Sequence, residues 1–146
     1  MITWRGGGNL RIGTFRYIED ILHDYPSTDR YIREREQQIA VPYWPADEVT
    51  TERSQGGGKH PQTRVAITIA TDRYLRLLRE NQAVIAETLA ESDEDTQAII
   101  TALYFKRNSI LTITGVAYQL HIGRSAASRK RTRFFNTVAK RLGFRC

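Results

Sequence analysis

Between Thr63 and Leu89 the apolar side chains return at every third or fourth position. Ile67, Ala70, Tyr74, Leu77, Leu78, Val84, Ile85 and Leu89 share one stripe, and Arg73, Arg76, Arg79 and Glu80 lie off it. A strand alternates every second residue, whereas this spacing matches the roughly 3.6-residue turn of an amphipathic helix. The segment must therefore bury one helical face against other helices. Ser92 opens a Ser-Asp-Glu-Asp capping box, and Asp93, Glu94 and Asp95 suit the positive end of a following helix. That helix carries Ile99, Ile100, Leu103 and Tyr104 and is expected to end near Asn108. The short apolar runs ITIA and ILTIT fall within or between helical patterns, so the fold class is all-α.

The N-terminal part is weaker. Gly6, Gly7 and Gly8 mark residues 1–13 as a flexible arm. Thr14 is expected to cap a helix to Asp24, with Phe15, Ile18, Ile21 and Leu22 on its buried side and Tyr25-Pro26 ending it. Ser27 or Thr28 begins a second helix through Ile39 or Ala40, stopped by Pro42; Tyr31, Gln38 and Ile39 lie near its least charged side. Residues 14–41 thus read as an N-terminal helical pair. Residues 42–62 read as a flexible linker: the break holds Pro42, Pro45, Pro61 and the triplet Gly56-Gly57-Gly58, with Tyr43 and Trp44 between prolines to anchor it by packing or to serve a partner. Residues 63–146 are the helical body, which these apolar stripes lead us to expect to fold without the N-terminal helices.

Charge divides the chain more sharply than its total of +6 conveys. Residues 106–146 hold ten bases and no acid. The first 105 residues hold the other twelve bases and all sixteen acids, a net of −4. A basic segment on a mildly acidic body fits a polyanionic partner.

Within that segment, residues 113–142 meet the requirements of a helix-turn-helix. Ala117 is the small residue where two helices cross, with Val116 and Leu120 beside it; His121-Ile122-Gly123 is the turn, and Ile122 its apolar anchor. Placing Ala127 at zero and advancing about 100° per residue puts Phe134, Phe135, Val138 and Leu142 within about 80° of it. Ser125, Ser128, Arg129 and Thr132 fall on the opposite side, in the turns that enter a major groove. Arg129 has the fork for guanine O6 and N7, and the hydroxyls suit any base edge. Arg124, Lys130 and Arg133 flank that face and are expected at phosphates. Arg131, near the buried stripe, is expected to lay its stem along the core instead. The expected partner is double-stranded DNA.

Other chemistries find little support. Cys146 is the one cysteine, so disulfide frameworks and Cys-rich zinc sites drop out. His23, His60 and His121 are scattered without a second ligand at helical spacing, and no metal is expected. Gly56-Gly57-Gly58-Lys59 fails as a phosphate loop, since Arg53 and His60 stand where Gly and Ser or Thr are needed. The acids at Glu91 and Asp93–Asp95 are better explained by helix capping than by a cation. No nucleophile–base pair stands out, so neither catalysis nor a cofactor is expected. No apolar run approaches the roughly 18 residues of a membrane span, and no signal-peptide core is present. A soluble, intracellular protein is expected.

Tyr25-Pro26, the segment REREQQIAVPYWPADE (33–48), the glycine triplet with Lys59, TDRYLRLLRENQAVI (71–85) and the terminal VAKRLGF together give the chain a recognisable layout. It resembles the RinA/ArpU-like transcriptional regulators of phages and prophages of Gram-positive bacteria over most of its length. Its C-terminal part is also similar to region 4 of bacterial sigma factors. The resemblance implies an activator of late genes (those for packaging, capsid and lysis) that assists host RNA polymerase, with a homodimer as one arrangement. Two features depart from the pattern. Val49 to Gln55 separate Asp-Glu from the glycines, and Gly123 stands where a capping Ser is more usual. The rival from another class is a DNA-packaging component resembling a small terminase subunit, which assembly into a large ring would mark. A module whose basic face meets an acidic protein is the third reading, and binding to a random duplex at low salt separates it from the others.

Overall fold

The computed structural model describes residues 10–41, 61–107 and 109–145. The arm through Asn9, most of the expected linker with Tyr43, Trp44, the glycine triplet and His60, and also Asn108 and Cys146 lie outside them. Every regular element among the described residues is helical: α1 (Ile12–Asp24), a 3-10 turn (Tyr25–Ser27), α2 (Thr28–Ala40), α3 (Pro61–Thr71), α4 (Arg73–Glu91), α5 (Glu94–Ile100) with a π-helical continuation (Thr101–Phe105), α6 (Ile113–Gln119) and α7 (Arg124–Arg141). None is long and apolar enough to cross a membrane.

The chain divides into two compact units. One comprises the residues up to Pro26 together with those from Asn81 onward; the other is Ser27–Glu80. α1 thus falls in the first unit and α2 in the second. In the first unit α1 contributes Ile18, Ile21 and Leu22 to a cluster with Ile85, Ile100, Tyr104, Phe134, Phe135, Val138 and Ala139. Phe15 packs on Phe135 with ring centroids 4.6 Å apart, and the Tyr104 hydroxyl donates to Glu19 at 2.9 Å. Burial raises the Tyr104 pKa, which keeps that hydroxyl in its donating form. A second cluster, Ile99, Ala102, Val116, Ala117 and Ala127, fixes α6 and the start of α7. The α5–π segment serves both clusters, with Ile99 and Ala102 on one side and Ile100 and Tyr104 on another.

In the Ser27–Glu80 unit the continuous helix expected from Thr63 is broken at Asp72. Its carboxylate accepts the Leu75 N–H at 3.0 Å and hydrogen bonds from Arg35 Nη2 and Nε, at 2.8 and 3.1 Å, so Asp72 starts a new helix instead of extending the old one. The Arg35 hydrogen bonds are the main cause holding that carboxyl below its ordinary pKa. Arg79 joins Glu36 at 3.0 Å. The expected stripe is only partly the buried one. Ile67, Tyr74 and Leu77 keep 44%, 47% and 45% of their surface exposed, whereas Leu75, off the stripe, is fully buried.

Two helix starts also differ from expectation. α1 begins at Ile12 instead of after Thr14; Ile12 and Gly13 are exposed, so the first turn leaves no mark on a buried stripe. α5 is capped by Asp93, whose carboxylate accepts the Thr96 N–H at 3.2 Å. Ser92 instead donates its hydroxyl to the Thr88 carbonyl at 2.7 Å, which closes α4.

Candidate nucleic-acid interface

Thr112 starts α6 by accepting the Gly115 N–H at 3.1 Å. Val116 and Ala117, 1% and 2% exposed, then set α6 against α5 and α7. The helix closes on His121, whose φ of 58° is left-handed. Its N–H bonds the Tyr118 carbonyl at 3.2 Å, and the Ile122 N–H bonds the Ala117 carbonyl at 3.1 Å. These are the paired bonds of a Schellman end, and they turn Ile122 back onto the Ala117–Ala127 cluster. Gly123, at φ −69° and ψ 150°, then leads into α7 without a side-chain cap.

α7 sorts its residues by face as the angles require. Ala127, Phe134, Phe135 and Val138 are buried to 2% exposure or less, and Ala139 joins them. Arg124, Ser125, Arg129 and Arg133 are exposed on the opposite side and its edges, with Ser128 and Thr132 half-buried beside them. Six of the seven residues expected to meet DNA therefore share one side over the first turns of α7. After Phe134 the helix is enclosed on more of its circumference, so this face ends at about Arg133.

The seventh residue, Lys130, is engaged elsewhere. Its ammonium lies 2.5 Å from Asp93, the cap of α5. Hydrogen bonding from Lys130, then from Thr96, lowers the Asp93 carboxyl from 3.8 to about 2. Arg141 turns inward similarly, 2.5 Å from Glu91 and 3.1 Å from the Thr88 hydroxyl. Arg131 sits 5.4 Å from the Phe15 ring centroid, its stem along the core. Among the described residues, Arg124, Arg129, Arg133, Lys140 and Arg145 make no ion pair. On α7, Lys130 and Arg141 are thus matched by carboxylates, and the bases of the outer side are not. The acids that do the matching carry no signal in the local sequence, because Asp93 and Lys130 lie 37 residues apart. No group of three or more His, Cys, Asp or Glu among the described residues could hold a metal ion.

The family described as Protein of unknown function (DUF722) matches residues 16–140. The chain is also similar to the Transcriptional activator rinA of Staphylococcus phage phi11, with 24% identity over 139 residues covering 92% of this chain and 94% of the relative. No solved structure matches.

Proposed function

We propose that this chain, which belongs to the family described as Protein of unknown function (DUF722), is a phage or prophage transcriptional activator. In this reading α6, the turn and α7 act as a DNA-binding helix-turn-helix. The observation that carries it is the outer side of α7, where Arg124, Arg129 and Arg133 stand exposed without ion pairs among the described residues. The name of the phage relative supports the regulatory part of the reading. Arg129 and Ser125 meet base edges in the major groove, Ser128 and Thr132 line its wall, and Arg124 and Arg133 hold phosphates. The protein works on double-stranded DNA beside host RNA polymerase and carries out no catalysis of its own.

Footprinting on the phage or prophage genome finds the operator, and binding to operator and scrambled duplexes tests the face. With three to five exposed bases at phosphates, log affinity falls against log salt with a slope of roughly −3 to −5. Arg129→Ala costs about 1–3 kcal/mol on the operator and flattens preference at one base pair. Equal weakening on both duplexes rejects base reading by Arg129, and a slope near zero rejects the interface.

A further inference from the structure

Asp93 divides its two oxygens between two tasks. One accepts the Thr96 N–H at 3.2 Å and so starts α5; the other holds Lys130 at 2.5 Å. The carboxylate is therefore oriented by the backbone of its own helix before it meets the lysine. Lys130 adjoins the exposed Arg129, and its side chain keeps 26% of its surface exposed. On α7 it stands about 60° from Ala127, at the border between the buried stripe and the outer side. A lysine in that position without Asp93 has the reach and charge for a phosphate flanking the groove.

We propose that Asp93 is a positioning residue that withholds Lys130 from the DNA backbone and so limits sequence-independent affinity. Phosphate contacts carry no sequence information, and each base that makes one releases counterions on any duplex. A lysine already matched by a carboxylate adds nothing to that release. Of the basic residues in the first turns of α7, those on the outer side remain for DNA, whereas Lys130 serves the packing of α5 on α7. The inference rests on the DNA-binding reading of α7.

The experiment compares the full-length protein with Asp93→Asn, Lys130→Gln and the double variant on a random duplex over a range of salt. Asparagine keeps the cap of α5 while removing the charge. Asp93→Asn is expected to steepen the salt slope by about one and to raise low-salt affinity by up to about fivefold. Lys130→Gln alone leaves the wild-type slope unchanged, and in its presence Asp93→Asn has no effect. Asp93→Ser, a neutral residue that also caps, is expected to repeat the Asp93→Asn result and serves if that protein fails to fold by circular dichroism. A slope reduced by about one in Lys130→Gln overturns the proposal, because Lys130 would then already contact phosphate. So does an Asp93→Asn effect that survives Lys130→Gln, or its absence while the wild type binds. Failure of the wild type to bind any duplex instead removes the DNA-binding reading itself.

Discussion

At the scale of single residues, the turn between α6 and α7 was the most legible part of the chain and also the part most easily misassigned. The run His121-Ile122-Gly123 marks a turn, and its glycine is the natural candidate for unusual backbone. Yet Gly123 has an ordinary φ of −69°, and His121 takes the left-handed position. The end of α7 shows the usual arrangement: Gly143 at φ 91°, with the Phe144 and Gly143 N–H groups bonded to Ala139 and Lys140. A side chain in the left-handed region costs about 1–2 kcal/mol, and a β-branched one fits it worst. His121→Val is therefore expected to lower stability by about 1–2 kcal/mol, read as an earlier midpoint in urea. Gly123 presents the opposite opportunity. It sits at the N-cap with extended backbone, and a Cβ there meets nothing within 4 Å. Gly123→Ser is expected to add about 0.5–1 kcal/mol by capping α7 and by restricting the unfolded chain. An unchanged or earlier urea midpoint would reject the open N-cap.

At the scale of elements, apolar spacing located the helices but not their joints. The carboxylates that start α4 and α5 are each held by a base far along the chain. Asp72 is bound by Arg35 and Asp93 by Lys130, each pair 37 residues apart. A stripe continuous from Ile67 through Leu77 conceals the break at Asp72, since exposure of half the stripe leaves the spacing intact. The same two carboxylates make acid sensitivity a property of these joints. Both have pKa values below the ordinary carboxyl range when folded, Asp93 at about 2 against 3.8. The stabilising effect of each is complete above the unfolded value and disappears as pH falls through its lowered folded value, about 2 for Asp93. Melting temperature measured across that window is expected to drop less steeply in Asp93→Asn and in Asp72→Asn than in the wild type. Parallel acid limbs for all three proteins would show that neither joint is held by its charge.

At the scale of the whole molecule, the first helix and the last share a core although more than a hundred residues separate them. Apolar stripes identify which faces are buried but not which faces meet, and so the body from residue 63 looked self-sufficient. In the structure α1 packs against it. Ile18 and Leu22 are fully buried in the cluster that contains Phe135 and Val138, and Phe15 and Tyr17 reach Phe135 and Phe144. Tyr17 also accepts a hydrogen bond from Asn81 at 3.1 Å. Removing such side chains singly costs about 2–5 kcal/mol each, comparable with the total stability of many domains. A chain beginning at Thr63 loses all of them and exposes one side of α7. It is expected to show reduced helix content by circular dichroism and no cooperative melt, while a synthetic peptide of residues 10–26 added in trans restores both. Leu22→Ala in the full chain is expected to cost about 2–5 kcal/mol, whereas Leu77→Ala, at a half-exposed site, costs under about 1 kcal/mol. Should the truncated chain melt cooperatively at the wild-type temperature, α1 would be an accessory to this core and the division of the molecule at Pro26 and Asn81 would be wrong.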